Sequence, residues 1–493
     1  MQQAEHWGTR IGLVLAMAGN AVGLGNFLRF PVQAIQNGGG AFIIPYFVCF
    51  VFIGVPLLWV EWSMGKFASQ HHKHSLPAIL QLFSSHRIVK YFGVFSLFTN
   101  IIVAAYYTYI ESWTLGYLYF SITQKFRAQG LEEVQNYFEA YQIWYHYEGL
   151  IFWLITCFLN IYILSKGIQK GIEAAAKLLM PMLILFAIIL AIFALSFEKG
   201  DNGAVLPGIY GFDYLWTPDF SSILKPKVWL AAAGQIFFTL ALGMGTIQCY
   251  ASYMKKEEDV ALNAMASGWL NEFVEIVLGA SIIIPICVGF LGLEKVQEWA
   301  QQGGMGLSFK VLPYLFVQWG PWLGTIMGSL WFGALFFAGI TSSLAMGLPF
   351  LSFMSDYRGW KHSQSAWLFG LLIMALGIPC ILSPIILDEF DFWAGSFSLV
   401  LFAVIEMVLF SWVWGIDKGW KAINENAKIK IPLFFKWIIH KITPLFLIII
   451  FIANLPNLFE KLYQETDSEI LVARILMIAV FTVCLITIYR SKI

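Results

Sequence analysis

Polar side chains interrupt the first long apolar run of the sequence in a pattern typical of a binding site. The run from 16 to 31 reads AMAGNAVGLGNFLRFP and carries Asn20, Asn26 and Arg29 among three glycines. Each glycine lowers helix propensity by about 1 kcal/mol relative to alanine, so the helix is predicted to break here. Backbone freed by a break inside a membrane must be buried in protein or line a cavity that supplies ions or ligand as partners. We therefore predict a binding site at residues 19 to 26.

A second apolar run repeats this design, with Gln235 and Thr239 followed by Gly-Met-Gly at 243–245. Two interrupted hydrophobic segments in corresponding positions of two halves indicate the midplane site of a secondary transporter. The alternative is that the glycines only let helices pack closely, as small residues do in membranes. The presence of two such stretches favours the binding site.

Two further apolar runs carry oxygen-bearing side chains. Asn271 and Glu275 are four residues apart and therefore stack on one helix face, whereas Glu272 is expected to point elsewhere. Thr341 and Ser342 lie together in the other run. Hydroxyls in membrane helices commonly bond back to their own backbone, and they become ion ligands only where several oxygens converge. A carboxylate inside a span is functional by default.

The composition is that of a polytopic membrane protein. Of 493 residues, 59% are hydrophobic and only 12% are charged, against about 25% charged in soluble domains. The net charge of +0 gives no indication of a nucleic-acid partner, and the six single cysteines are predicted to be core residues without metal spacing. A span needs about 20 apolar residues. Twelve candidate spans lie at roughly 10–36, 41–69, 88–122, 149–165, 172–196, 227–252, 262–292, 322–354, 362–382, 392–413, 432–453 and 470–489.

The order of the spans predicts their topology. The two interrupted helices are the first and the sixth span, so each repeat contains five spans, one to five and six to ten. An odd number of spans turns the second repeat over in the membrane. We predict an all-α transporter domain with one inverted repeat at 7–200, a second at 226–413 and two additional helices at 430–493. Residues 293–320 are predicted to form an outer loop with short helices that acts as a lid. The segment from His71 to His74 only superficially resembles a metal tract and is predicted to be a solvated basic loop.

Charge and loop composition predict the membrane orientation. Lysine and arginine concentrate in the loops that would be cytoplasmic, so both termini are predicted to lie in the cytoplasm. The chain has no Asn-x-Ser/Thr sequon, and the outer loop at 123–148 has no cysteine. Both absences fit a bacterial inner membrane.

The motifs GNAVGLGNFLRFP, YYTYIESWTLG, GQIFFTL, LNE, FFAGITSS and DEFDFWAG closely resemble those of the neurotransmitter:sodium symporter family, most of all its bacterial leucine-transporter type. The resemblance extends almost end to end. It implies a 5+5 inverted repeat with broken first and sixth helices, plus two additional helices. It also implies sodium-coupled uptake of a neutral, apolar amino acid, aliphatic or aromatic, by alternating access.

The resemblance further implies two sodium sites. The first would be formed by the substrate carboxylate with Ala21, Asn26, Thr239 and Asn271. The second would be formed by Gly19, Val22, Ala338, Thr341 and Ser342. Sharing the first ion with the substrate would couple the two binding events.

The family's pocket and gates map onto the same spans. The implied substrate residues are Ala21, Leu24, Gly25, Val103, Tyr107, Phe238, Thr239, Ala241, Met244, Ser342 and Met346. Arg29 and Asp391 match an outer gate pair. The implied inner gate is Trp7, Ser252, Tyr253 and Asp356. The leucine-transporter type has an arginine where this chain has Ala4, so an inner salt bridge to Asp356 is missing.

Glu275 is predicted to make transport independent of chloride. In animal relatives that bind chloride, the matching residue is uncharged and the anion supplies the negative charge, whereas here the carboxylate supplies it. On the empty carrier this buried carboxylate could hold a proton, which leaves proton antiport open. The alternatives are a ligand-gated ion or solute channel and, ranked lowest, a membrane enzyme, since no nucleophile, base and orienting group cluster in the sequence. A homodimer also stays open.

Overall fold

The described part of the chain is helical. The computed structural model describes 5–127, 129–142, 147–218, 220–463 and 467–491. Pairing of extended backbone within these residues is limited to one bridge between Gly39 and Pro218. Among them, ten helices are long and apolar enough to cross a membrane. They are Gly40–Ser69, Arg87–Ile122, Tyr147–Ser165, Ile168–Ser196, Val260–Leu291, Pro321–Arg358, His362–Leu382, Pro384–Ile423, Phe434–Tyr463 and Ser468–Arg490.

Two further predicted spans are interrupted helices. Arg10–Ala21 and Leu24–Gln36 form a pair bent by 53°. Pro226–Thr239 and Thr246–Ala251 are separated by an unwound segment. With these two pairs the twelve predicted spans are all present, and most ends lie within a few residues of the prediction. We number them as spans 1 to 12 in chain order.

The predicted ends of span 10 differ most from the structure, which extends this helix to Pro384–Ile423. The added segment Ile416–Ile423 is amphipathic, with Gly419 and Ile423 buried. A hydropathy criterion excludes such a segment because its exposed face is polar.

Burial divides the spans into a core and a periphery. Of the most apolar window, 94% of residues are buried in span 8 and 89% in span 7, but only 22% in span 12. The first half of span 1 packs against spans 5, 7 and 8. The break in span 1 therefore lies within the most buried part of the molecule.

Residues 293–320 form short helices, as predicted. Leu293–Ala300 and Leu312–Gln318 flank a tight turn of helix at Gly303–Met305. Gly304 packs directly on the backbone of Leu28, so this segment covers the second helix of span 1 near Arg29. Its action as a lid and the residue limits of the two repeats stay predictions.

Candidate functional site

The break in span 1 turns backbone carbonyls toward span 8. Helix Arg10–Ala21 ends where Val22 adopts extended angles (φ −73°, ψ 95°). The Ser342 hydroxyl lies 3.2 Å from the carbonyl oxygen of Gly19 and 3.4 Å from that of Val22. Thr341 Oγ1 donates to the Ala338 carbonyl at 3.1 Å or to the Phe337 carbonyl at 2.9 Å. We call Gly19, Val22, Ala338, Thr341 and Ser342 the Ser342 cluster.

Gly19 is required for this close approach of spans 1 and 8. A Cβ atom at this position would lie 2.9 Å from Thr341 Cβ and 3.3 Å from its Oγ1. A larger residue would separate the carbonyls of span 1 from the hydroxyls of span 8.

The break in span 6 is held open by polar groups of neighbouring spans. Ala241 and Gly243 have φ values of 51° and 72°, which no continuous right-handed helix contains. The freed Gly243 N–H donates to Glu61 Oε1 at 2.9 Å, and Asn100 Nδ2 donates to the Met244 carbonyl at 2.8 Å. The intramembrane carboxylate of Glu61 thus accepts a hydrogen bond from a backbone N–H group of the unwound segment.

A second group of polar side chains joins spans 1, 2, 6 and 7. Asn26 Nδ2 donates to Asn271 Oδ1 at 2.9 Å and to Thr239 Oγ1 at 3.1 Å. Glu275 accepts from the Tyr46 hydroxyl at 2.8 Å, from the Gln235 amide at 2.5 Å and from the Thr239 hydroxyl. All of these side chains are buried. We call Asn26, Tyr46, Gln235, Thr239, Asn271 and Glu275 the Glu275 cluster.

The expectation that Glu272 points away from Asn271 and Glu275 is wrong. Glu272 is 4% exposed, and its Oε1 accepts from Asn271 Nδ2 at 3.3 Å. The helix widens to a π-helix at Phe273–Gly279, directly after this residue. Since the turn of a π-helix is larger than 3.6 residues, spacing along the sequence no longer assigns the face of each side chain.

One cavity of about 600 Å³ joins the two breaks. Tyr107 lies on its wall, and its hydroxyl accepts from the Leu24 N–H at 3.2 Å. The charged residues that line the cavity in the described chain are Arg29, Asp388 and Asp391. The cavity is also lined by all eleven predicted substrate residues, namely Ala21, Leu24, Gly25, Val103, Tyr107, Phe238, Thr239, Ala241, Met244, Ser342 and Met346.

The sequence pattern of the sodium:neurotransmitter symporter family matches residues 4–142 and 132–492, which is nearly the whole chain. The chain belongs to this family. It is therefore a sodium-dependent symporter and a multi-pass membrane protein. The resemblance predicted from the motifs is confirmed, and membership in a family of secondary transporters decides against the channel and enzyme alternatives.

Relatives of the symporter occur across distant organisms. An uncharacterized sodium-dependent transporter of Methanocaldococcus jannaschii is 29% identical and aligns over 99% of this chain and 98% of its own. The sodium-dependent serotonin transporter of Drosophila melanogaster is 26% identical over 94% of this chain and 78% of its own. The crystal structure of MhsT in complex with L-phenylalanine covers 91% of this chain with a TM-score of 0.77 and 28% identity. These matches confirm the fold.

The two predicted outer gate residues of the symporter do not touch. The Arg29 guanidinium lies over the Phe238 ring, 4.4 Å from its centroid. Asp391 instead accepts from the Tyr106 hydroxyl at 2.6 Å. No salt bridge joins Arg29 to Asp391 among the described ion pairs, so the outer gate pair stays a prediction for a closed state. The cavity reaches both residues, and we call this side the Arg29 end.

The opposite side, which we call the Trp7 end, is closed. Trp7 is 1% exposed, and its indole N–H donates to the Tyr250 carbonyl at 2.9 Å. The Tyr253 hydroxyl is hydrogen-bonded to Ser352 at 3.0 Å. The predicted inner gate residues Trp7 and Tyr253 are joined by a backbone hydrogen bond of 3.4 Å.

Asp356 closes the Trp7 end without an arginine. Its Oδ2 accepts from the Ser75 N–H at 2.9 Å and from the Ser75 hydroxyl at 2.7 Å. These bonds fix the loop between spans 2 and 3 to the end of span 8. Ala4, where the resemblance implies a missing arginine, lies outside the described residues.

Sequence reasoning missed His74. His71 and His72 are exposed, as predicted for a solvated loop, but His74 stacks on Tyr253 with the ring centroids 4.2 Å apart and an interplanar angle of 11°. Its Nδ1 lies 3.1 Å from Ser252 Oγ. The sequence contains no signal for this contact, because the partners are far apart in the chain and three neighbouring polar residues suggest solvation.

Proposed function

We propose that the symporter carries a neutral, apolar amino acid together with two sodium ions by alternating access. The observation that carries this proposal is the single cavity lined by both helix breaks and all eleven implied substrate residues. Its charged lining residues are confined to Arg29, Asp388 and Asp391 among those described. The remaining wall is apolar or neutral, which suits an uncharged side chain.

The two helix breaks suit the charged ends of a zwitterion. Helix Leu24–Gln36 begins at the cavity, where its first N–H groups and the Tyr107 hydroxyl could receive a carboxylate. Helix Pro226–Thr239 ends at the cavity, where its carbonyl groups could receive an ammonium. Helix N-termini favour anions and helix C-termini favour cations.

Two methionines set the expected size of the substrate side chain. Met244 and Met346 line the cavity, and methionine is unbranched and polarisable enough to repack around ligands of different shape. The crystallised MhsT complex contains L-phenylalanine. We extend this to the symporter and propose that aliphatic and aromatic amino acids compete for one site.

The proposed sodium sites lie at the two clusters. Sodium is a hard cation that prefers oxygen ligands, and each cluster gathers carbonyl, hydroxyl or amide oxygens from separate spans. We assign the first ion to Ala21, Asn26, Thr239 and Asn271 and the second to Gly19, Val22, Ala338, Thr341 and Ser342. The cavity is lined by Ala21, Asn26 and Thr239, which supports direct contact of the first ion with the substrate carboxylate.

Glu275 is proposed to replace chloride. Its carboxylate is fully buried and accepts hydrogen bonds from neutral donors, namely Asn26, Tyr46, Gln235, Thr239 and Asn271. Two sodium ions beside a zwitterion would leave two positive charges in a low-dielectric site, and a fixed carboxylate offsets one of them. When the ions leave, a proton on this carboxylate could return with the empty carrier.

We propose that the Trp7 end faces the cytoplasm of a bacterial cell and that both termini lie there. The support is the excess of lysine and arginine in the loops on that side. In this orientation the described conformation has its cavity toward the outside and its cytoplasmic end closed.

Accumulation in proteoliposomes tests the proposal. Purified symporter is given labelled leucine with an inward sodium gradient, with potassium in place of sodium as the control, and the twenty amino acids compete in turn. We expect sodium-dependent accumulation above the external concentration, with leucine, methionine, phenylalanine and tryptophan as the strongest competitors. Simple equilibration, or stronger competition by glutamate or lysine, would contradict the proposal.

A further inference from the structure

His74 lies where four parts of the closed Trp7 end meet. It follows span 2, its ring stacks on Tyr253 at the end of span 6, and its backbone N–H donates to Asp356 of span 8 at 3.2 Å. The Tyr253 carbonyl accepts from the N–H of Trp7 in the N-terminal segment. Separation of these segments must therefore break the stack between His74 and Tyr253.

The hydrogen bonds define which nitrogen of the ring carries a proton. The Ser252 hydroxyl donates to the Cys249 carbonyl at 2.7 Å, so its oxygen is left to accept. His74 Nδ1, which lies 3.1 Å from that oxygen, must then be the donor. A neutral ring with its hydrogen on Nδ1 satisfies this arrangement.

Burial of the ring opposes protonation of His74 in the closed state. Burial is the largest effect and lowers the pKa of His74, Asp356 raises it, and His6 and His72 lower it when charged. Tyr253 and Ser252, which pack on the ring, are uncharged, and the hydrogen bond at Ser252 raises the pKa of His74. In an open state the ring would be hydrated, and its pKa would return toward the ordinary value of about 6.5. Because the closed state binds the proton less well, acidification favours the open state.

We propose that neutral His74 latches the Trp7 end closed by stacking on Tyr253, and that a proton from the cytoplasm releases this latch. The inference rests on the proposed alternating access. It assigns to this chain a gate residue that responds to pH and that is absent from the implied inner gate of Trp7, Ser252, Tyr253 and Asp356.

The native Cys249 reports on the latch. It is buried in helix Thr246–Ala251, four residues before Tyr253. The other five cysteines are replaced by alanine, and the rate of maleimide labelling in sodium-free detergent solution is divided by the rate for the same protein unfolded at the same pH. This ratio removes the intrinsic effect of pH on the thiol.

Three variants separate the stack from the proton. In the parent, the labelling ratio should rise by about threefold or more from pH 7.5 to pH 5.5. His74→Phe keeps an aromatic stack without a titratable group and should label slowly at both pH values. His74→Ala should label rapidly at both. His71→Gln, a change to an exposed histidine of the same loop whose ring packs on Phe67, should behave as the parent does.

The outcomes also separate this inference from the proposed function. Sodium should slow labelling of every variant that alternates access, and this effect confirms that the variant is folded. A sodium effect with no pH effect in the parent, or a pH effect retained in His74→Phe, would overturn the latch and leave the proposed transport intact. Loss of the sodium effect in the parent would instead contradict alternating access.

Discussion

The Glu275 and Ser342 clusters share the break in span 1 but differ in charge and in access to the cavity. The first contains a buried carboxylate, whereas the second contains only carbonyl groups and hydroxyls. Within the first proposed ion site, Ala21, Asn26 and Thr239 line the cavity; within the second, Ser342 alone does so. The proposed assignment therefore places two ions at one break, of which only the first would touch the substrate carboxylate.

The largest effect is expected from Asn271→Ala. Asn271 is fully buried and holds Asn26 and Thr239 together. Loss of a hydrogen-bonding group next to a charge costs about 1.5–3 kcal/mol, which is roughly 10- to 150-fold in affinity. Sodium and substrate affinity should both fall by at least about tenfold. Scintillation-proximity binding of labelled leucine across a sodium titration measures both.

Ser281→Ala is the matched control for Asn271→Ala, because Ser281 is a buried polar residue of span 7 outside the Glu275 cluster. It should bind both ligands as the parent does. Unchanged leucine affinity in Asn271→Ala would refute the sharing of the first ion with the substrate.

A smaller and more selective effect is expected from Thr341→Ala. The change removes one hydroxyl from the Ser342 cluster, and a neutral hydrogen-bonding group contributes about 0.5–1.5 kcal/mol. Sodium affinity should fall by roughly two- to tenfold, while leucine affinity at saturating sodium should stay at the parental value. The same binding titration measures both quantities.

Two neighbouring changes control this prediction. Thr341→Ser keeps the hydroxyl and should restore sodium affinity. Ser343→Ala alters an adjacent hydroxyl that is bonded to Asn160 at 2.8 Å instead, and it should leave sodium binding unchanged. If Ser343→Ala reproduced the effect of Thr341→Ala, the effect would belong to helix packing and not to an ion ligand.

The smallest effect is expected on substrate size. Met346→Phe should fill part of the cavity and reduce the competition by tryptophan relative to leucine by roughly fourfold, because one buried methylene is worth about 0.8 kcal/mol. Met477→Phe, at a buried methionine of span 12 outside the cavity lining, is the control. An equal loss for both competitors would show that Met346 does not determine selectivity.

The sequence predicted the breaks because their cause is local. Glycines and polar residues at 19–26 and 243–245 weaken the helix wherever they occur, and the structure breaks both helices there. The spans were predictable for the same reason, since hydropathy is a property of each segment. The residues lining the cavity were predictable only through the family resemblance.

The remaining features depend on contacts between distant segments. Glu272 joins Asn271 beside a π-helix, where helical spacing fails. The ring of His74 is partly buried and stacks on Tyr253, which no property of its own loop indicates. Arg29 lies over Phe238, a residue of span 6 that is far away in the chain.

The fixed charge of Glu275 is the central claim, and replacement of chloride by gluconate tests it most directly. Sodium-driven leucine uptake is measured in both salts for the parent, Glu275→Ser and Glu275→Gln. We expect the parent to show equal uptake in both salts. Glu275→Ser should require chloride, because the smaller side chain frees space for the anion. Glu275→Gln should show low uptake in both salts, because its amide fills that space without supplying a charge. Collapse of parental uptake in gluconate would contradict the account.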